Sequence, residues 1–527
     1  MSAEGANPAL REGIDRRALA AGAAIVGVGT VLLYVVRPSS TDYTNGRFRA
    51  FLFDEVGFAP WNNMWLNGHH TPAYSLLAPP ITSVAGTRVT AALSLAALVA
   101  SFVMVLRAVR REGALLRHEV AASCSVAALG AAPLMIGQTA YLLGMACGMC
   151  SMWLLLDRYP VLASVAGLLA GAASPTAGLY LAIAAAAMCT DRRWRAGAAA
   201  TGIASFAGFA LPVMLFPEGG DYYPFSRGGT INLVVLVAVV IVVARRFRLV
   251  VAGGVLYAAL VLLTVLDVTG LGNIVARLGG LLAAPIAVLA WQGRRSVAAT
   301  FVAGALAFQW APVAGIAFSG VAEQRELSVY EPVLEVLRTL PPGSRVEVVP
   351  MRTHDEADRI ARFAPIARGW HRHLDRKYNW LFYDDTSLTA DEYLVWLVEH
   401  DVAVVAIADT KLDYGGTKER ELLERPPDYL EPVVTDGMWR VFLVRQPPQA
   451  DVAEVTFVQP ASLGLRFEQP GAQRIAVHFS PWFVVDGPAC VRDSGDGWTV
   501  VEASSAGEVV VRATLSWRAV VDRDGTC

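Results

Sequence analysis

Along about the first three-fifths of the chain, apolar residues come in long, nearly unbroken runs; beyond residue 321 they alternate with polar ones. Runs of helix-spanning length fall near 18–36, 87–106, 119–136, 139–156, 159–173, 175–189, 196–216, 231–244, 249–266, 278–291 and 297–318, about eleven by the ~20-residue criterion for crossing a bilayer. After residue 321 the period changes. VYEPVLEVLRTL has helical apolar spacing, and TADEYLVWLVEH reads as an amphipathic helix opening on a Thr cap. SRVEVVP, DVAVVAIAD and GMWRVFLVR read as strands, so 321–447 predicts an α/β region. From EVTFVQP to GEVVVRATLS, short strands separated by Gly, Pro, Asp and Ser turns predict a small β-sandwich over 448–527. The expected organisation is an N-terminal segment 1–17, a helical polytopic membrane domain 18–320 holding a long loop at 37–86, and two folded domains, 321–447 and 448–527.

Charge gives this pattern an orientation. Only 17% of the 527 residues are charged and 54% are hydrophobic, whereas a soluble domain is about 25% charged. The formal net charge of -2 carries no basic signature for nucleic acid. Basic residues cluster at Arg11/Arg16/Arg17, Arg107/Arg110/Arg111/Arg117, Arg192/Arg193/Arg195, Arg245/Arg246/Arg248 and Arg294/Arg295. With eleven spans and a cytoplasmic N-terminus, all five clusters fall on the cytoplasmic side of the plasma membrane, as the positive-inside bias requires. Loop 37–86 and the C-terminal domains are then extracytoplasmic. The first run, ALAAGAAIVGVGTVLLYVV, reads as a retained helix, with a signal peptide as the alternative. Cys124, Cys147, Cys150 and Cys189 lie in apolar runs, where a thiol packs. Cys490 and Cys527 are the two cysteines of the soluble part, and an oxidising exterior permits a disulfide between them.

Candidate chemistry concentrates in the long loop, in FLFDEVGFAPWNNMWLNGHHTPAYSLLAPP. Polar and ionisable groups beside a bilayer usually mark a water-filled cavity or a site. Asp54 and Glu55 have the chemistry of a general base or of divalent metal ligands. His69 and His70 suit metal, phosphate or proton transfer. Trp61 and Trp65 suit stacking on a sugar ring, or anchoring at the membrane interface. Near the later helices, Asp267 and Arg277 stand at an exterior boundary, and a phosphate partner would account for that arginine. FPEGGDYYPFSRGG adds Glu218, Asp221, Tyr222, Tyr223 and Arg227. The folded region holds no Walker loop, G-x-G-x-x-G, G-x-S-x-G or H-E-x-x-H.

A first helix leading to a large acidic exterior loop, about eleven spans, an S-P turn at Ser174-Pro175 and an exterior C-terminal region together resemble the GT-C glycosyltransferases. WNNMWLNGHHTPAYSLLAPP, GNIVARLGGLLAAP and ARGWHRHLDRKYNWLFYDD are similar to actinobacterial membrane proteins of this general type. The resemblance implies a polyprenyl-phosphate sugar as donor and a cell-envelope glycan, glycolipid or protein as acceptor. It also implies an exterior-loop acid as base or metal ligand. Asp54 or Glu55 matches that acid and Asp42 is an equal alternative, while paired histidines are not a mark of the family. Trp61, Trp65, His69, His70, Asp267 and Arg277 become substrate-binding candidates. Asp54, Glu55, His69 and His70 become candidate ligands for Mg or Mn.

The leading expectation is therefore inverting sugar transfer at the outer face of the membrane. A non-catalytic envelope assembly or binding protein on the same scaffold is the alternative. A transporter is disfavoured, since no inverted repeat or pair of broken helices stands out.

Overall fold

The structure, a computed structural model, describes residues 8–218, 225–317, 326–435, 437–445, 452–521, 523 and 525–527. Asp221, Tyr222 and Tyr223, and the expected boundaries at 320/321 and 447/448, lie outside the described residues. The chain divides into two compact units. One comprises Met1–Pro38, Tyr74–Met214 and Tyr222–Gly320; the other comprises Ser39–Ala73, Leu215–Asp221 and Val321–Cys527.

The first unit is helical. Among the described residues, eight helices are long and apolar enough to cross a membrane: Gly13–Val36, Thr87–Arg111, Glu119–Ile136, Thr139–Leu156, Arg195–Leu215, Arg248–Val265, Gly272–Ala290 and Arg295–Ile316. Pro160–Ala173, Pro175–Met188 and Arg227–Val243 are shorter apolar helices. This is the helix complement of a multi-pass membrane protein, with eight rather than eleven helices meeting the length criterion. Two of the short helices share a close crossing with Arg195–Leu215. A Cβ on Gly171 would lie 2.3 Å from the Ser205 carbonyl oxygen, and one on Gly208 would lie 2.3 Å from that of Leu168. Only glycine permits backbones this near, a frequent device between membrane helices.

The basic connections of this unit meet at one end. Arg110 pairs with Asp15 and Glu119. Arg111 reaches Asp157 at 3.0 Å, and Arg158 and Arg193 both reach Glu112 at 3.3 Å. Arg117 N–H donates to the Leu289 carbonyl at 3.2 Å, and Leu249 packs against the Met188–Trp194 cluster. Away from these ion pairs, Leu76 N–H donates to the Ala172 carbonyl at 2.8 Å, and the Thr139 hydroxyl donates to the Thr87 carbonyl at 3.4 Å.

The second unit is mixed. Its α/β part contains strands β3 (Arg345–Val348), β4 (Val402–Ala408), β5 (Leu430–Val434) and β6 (Trp439–Val444), after the short β1 (Trp61–Asn62) and β2 (His69–His70). The sheet order is β3-β4-β6-β5, with β3 and β4 parallel and the other neighbours antiparallel. Strands β7 (Ala453–Gln459), β8 (Ser462–Phe467), β9 (Gly471–His478), β10 (Phe483–Asp486), β11 (Ala489–Asp493), β12 (Trp498–Ala503) and β13 (Gly507–Ala513) form two antiparallel sheets, β10-β13-β8-β7 and β11-β12-β9. Alternate residues of both sheets, including Leu465, Phe467, Val491, Val501 and Val511, share one core, as in a sandwich.

The division groups the chain differently from the expected limits. Residues 39–73, assigned from the sequence to the membrane domain, belong to the mixed unit, as do 215–221. The segment 41–56 is a helix, Thr41–Val56, capped by the Ser40 hydroxyl on Tyr43 N–H. Phe48, Leu52, Met64, Trp65 and Leu66 are built into the α/β core, and Trp61 into the sandwich core. The loop therefore supplies apolar side chains to both parts.

Candidate functional site

Residues 61–70 are all buried. β1 and β2 pair antiparallel, with Trp61 opposite His70 and Asn62 opposite His69. Between them Leu66 and Asn67 have φ of 56° and 54°, and Gly68 N–H donates to the Trp65 carbonyl at 2.8 Å. Two successive positive φ values inside such a bond are the signature of a type I′ turn. Gly68 follows at φ 103°, where a Cβ would meet the Trp61 ring at 2.4 Å. Glycine is needed there for conformation and for space.

A buried irregular segment must find partners for its backbone groups and those of its neighbours. The amides do this. Asn62 accepts from Met64 N–H at 3.0 Å. Asn63 accepts from Trp61 Nε1 at 2.9 Å and donates to the Gln459 carbonyl at 2.9 Å, while its own N–H donates to Pro460 at 2.8 Å. Asn67 donates to the Ala476 carbonyl at 2.8 Å, and its carbonyl accepts from His478 N–H at 2.8 Å. On the α/β side, Trp65 stacks on Phe48 at 4.3 Å and donates to the Ala357 carbonyl at 2.8 Å. Ile366 N–H donates to the Met64 carbonyl at 3.0 Å. The stretch is a seam between the sheet and the sandwich.

Consecutive strand residues face opposite ways, and the two histidines separate accordingly. His69 stacks on Trp65 at 5.8 Å and lies 6.1 Å from His371. Burial, reinforced by Arg49, holds His69 well below the ordinary histidine value and brings His371 down to about 3. Both rings are neutral at pH 7. His70 turns toward Trp61 and Phe216. Its Nδ1 lies 3.4 Å from the Glu218 carboxylate, and its Nε2 lies 3.3 Å from the Ser480 hydroxyl. Burial raises Glu218 above the usual carboxylate range, with His70 opposing that shift.

Asp54 and Glu55 stand apart from this seam, exposed at the last turn of Thr41–Val56 and without ion pairs among the described residues. Asp42 occupies the first turn of the same helix. Asp54, Glu55, His69 and His70 do not gather into a set of ligand atoms within reach of one another. Among the described residues the sole group of that kind is Cys490, Glu502 and Cys527, whose two sulfurs are joined in a disulfide. Asp54, Glu55, His69 and His70 therefore do not fit one shared divalent ion.

In the helical unit, Asp267 is exposed with φ 61°. Arg277 is half-buried in the first turn of Ala276–Ala290, with its guanidinium carbon 5.6 Å above the Tyr141 ring. It makes no ion pair among the described residues. The backbone from Ile274 to Gly279 around it is bonded by three tyrosines from three other helices. Tyr141 donates to the Arg277 carbonyl at 3.0 Å, Tyr180 donates to Ile274 at 2.8 Å, and Tyr257 donates to Val275 while accepting from Gly279 N–H at 3.1 Å.

One cluster escaped the sequence reading of sites. Beyond the carboxyl ends of β3 and β4, Arg368 is buried and bidentate to Asp375 at 3.0 and 2.9 Å, and reaches Glu419 at 2.8 Å. Arg372 is bidentate to Asp413 at 2.7 Å. His354 lies 3.1 Å from Glu356 and 3.6 Å from Asp413; burial works against its charge, but these carboxylates hold it up to about 9. Burial pushes Glu419 up to about 7 against the pull of Arg368. The signal was the density of Arg, His and Asp among aromatics in ARGWHRHLDRKYNWLFYDD. Compared with known proteins, the chain matches no family model and no curated protein.

Proposed function

We propose that the chain is a plasma-membrane glycosyltransferase of GT-C type, moving a sugar from a polyprenyl-phosphate donor to a cell-envelope acceptor on the side bearing the mixed unit. Arg277 carries this reading. A half-buried guanidinium over the Tyr141 ring, with no carboxylate partner among the described residues, on a turn whose backbone carbonyls are bonded by three tyrosines, suits the phosphate of a lipid headgroup. In the transfer, an acceptor oxygen forms a bond to the anomeric carbon as the bond from that carbon to the phosphate oxygen breaks. The acceptor proton passes to a carboxylate, for which Asp42, Asp54 and Glu55 on one helix remain the candidates. Arg277 stabilises the departing lipid phosphate.

The proposed topology has eleven crossings, a cytoplasmic N-terminus and the mixed unit outside. Its support is the meeting of Asp15, Arg110, Asp157 and Arg193 through ion pairs at one end of the helical unit, where the positive-inside bias places the cytoplasm.

The test is release of polyprenyl phosphate from radiolabelled polyprenyl-phosphate sugar by the purified full chain. Arg277→Ala should weaken donor binding roughly ten- to a hundredfold, and Arg277→Lys should recover only part, as a point charge replaces a fork. One of Asp42→Asn, Asp54→Asn and Glu55→Gln should lower turnover ~10²–10⁴-fold per folded molecule. Wild-type turnover in all three, and in the triple variant, would sink the assignment of the base. A second reading, an envelope binding protein without catalysis, is favoured by the burial of Trp61, Trp65, His69 and His70 in packing. Donor binding without any release of lipid phosphate would select it.

A further inference from the structure

Tryptophan is on average one of the well-buried residues of a fold. Trp517 is not: it is 84% exposed, the most of any tryptophan among the described residues. Leu515, two positions earlier, is 58% exposed. Both follow strand β13, where the chain turns into the short helix Trp517–Val521.

Local structure explains why Trp517 turns outward. Thr514 N–H donates to the Trp482 carbonyl at 3.0 Å, and Ala519 N–H donates to the Ser516 hydroxyl at 3.3 Å. The second bond caps the helix and puts Trp517 in its first position. Residues two apart on a helix lie about 200° apart around its axis. Ala519 faces inward, buried against Phe216 and Trp482, with Ala73, Leu215 and Val520 packed around them. Trp517 therefore points away from that cluster.

The cluster also marks where the polypeptide leaves the mixed unit. Ala73 ends the unit's first segment and Leu215 begins its second. Leu215 is the last residue of Arg195–Leu215, a helix long and apolar enough to cross a membrane. The helix carrying Trp517 is thus packed on the residue that closes a membrane-spanning candidate.

We propose that Trp517 and Leu515 dock on the bilayer itself, at the headgroup boundary of the leaflet in which Arg195–Leu215 ends. Leu215 is what selects lipid as the occupant. A headgroup layer about 5–8 Å thick covers the hydrocarbon on each side, within reach of a side chain this near the end of a spanning helix. An indole suits that layer, since its ring is apolar and its N–H still finds polar partners there. Leu515 adds apolar area beside it. The contact gives the mixed unit a hold on the membrane besides its chain connections. The proposal rests on the helical unit being embedded in a bilayer and not on the chain being a transferase.

The test is depth-dependent fluorescence quenching in nanodiscs that each hold one copy of the chain. In a background lacking Cys124, Cys147, Cys150 and Cys189, a bimane label is attached at Leu515→Cys, Glu508→Cys or Ile203→Cys. Ile203 is exposed on Arg195–Leu215 and reports embedding itself; lipid spin-labelled deep in its acyl chain should quench that label. Glu508 is exposed on β13, and five residues of strand set it about 16 Å from Ala513. The Leu515→Cys label should lose most of its fluorescence to headgroup-labelled lipid and less to the deep label, while the Glu508→Cys label should lose little to either. Adding Trp517→Ser, a change at an exposed position that leaves the packing of Ala519 in place, should relieve the quenching at Leu515→Cys. Quenching at Ile203→Cys with none at Leu515→Cys would overturn the anchor alone, whereas no quenching at Ile203→Cys would overturn the membrane reading with it. Quenching at Glu508→Cys as strong as at Leu515→Cys, or no relief by Trp517→Ser, would also count against the anchor.

Discussion

At the scale of single residues, the amides of the seam do the work that a solvent-facing reading gives to the acids and histidines. Asn63 is the sharpest case. Its carbonyl oxygen takes the Trp61 indole proton at 2.9 Å, and its amide nitrogen donates to Gln459 at 2.9 Å and to Ser462 at 3.3 Å. Asn63→Asp keeps the acceptor for Trp61 but aims a carboxylate at two carbonyl oxygens. Asn63→Ala only leaves the three partners unsatisfied. Both should destabilise the mixed unit, Asn63→Ala by about 2 kcal/mol and Asn63→Asp by more, since a misplaced buried charge costs more than a missing bond. Chemical unfolding followed by tryptophan fluorescence measures this; an Asn63→Asp protein as stable as wild type would contradict the seam. That these residues are special was legible from their density on an apolar background. Their role was not, because an amide satisfying buried backbone and an amide facing a ligand have the same sequence.

At the scale of elements, the helix Thr41–Val56 went unread because its buried face is not apolar. Thr44, Asn45 and Arg49 are buried along with Tyr43, Phe48 and Leu52, so the 3.6-residue apolar stripe that announces an amphipathic helix is broken. Arg47 replaces apolar contact with ion pairs to Asp355 at 2.6 Å and Asp358 at 2.9 Å. The sandwich strands, by contrast, alternate and were visible, and so was the disulfide that closes them. Strand β9 carries a testable consequence of the same seam. His478 stacks between Tyr378 at 4.1 Å and Trp498 at 4.4 Å, and desolvation there lowers it from 6.5 to about 4. A depressed histidine adds stability that is present above the unfolded value and is lost as pH falls toward the folded one, here between 6.5 and about 4. His478→Phe keeps the stack and removes the titration. Relative to wild type, its stability should be nearly pH-independent above pH 7 and should rise by roughly 1–2 kcal/mol on going from pH 7 to pH 5. Thermal unfolding at the two pH values checks it, and a constant difference would show that the ring does not titrate in that window.

At the scale of the whole molecule, the recruitment of three separate segments into one folded unit constrains how often the chain crosses the membrane. Residues 39–73, 215–221 and 326–527 share a compact unit, so they lie on one side. The number of crossings between consecutive members must then be even. Between 73 and 215 stand four long apolar helices and the short pair Pro160–Ala173 and Pro175–Met188. Whether that pair crosses twice or turns back within the membrane, the count stays even. Between 221 and 326 stand three long helices, Arg248–Val265, Gly272–Ala290 and Arg295–Ile316, which is odd. Evenness requires the 17-residue helix Arg227–Val243 to cross as well, at the lower limit of about 17 residues for a span. Under the proposed topology, Arg245 and Arg246 should be cytoplasmic. In a background lacking the four free thiols Cys124, Cys147, Cys150 and Cys189, Phe58→Cys and Val268→Cys, both at exposed positions, should react with a membrane-impermeant maleimide in whole cells. Arg246→Cys should react only after permeabilisation. Labelling of Arg246→Cys in whole cells alongside Phe58→Cys would mean that Arg227–Val243 does not cross. One of the three longer helices would then also have to stay on one side, and the proposed cytoplasmic position of the basic connections would fail with it.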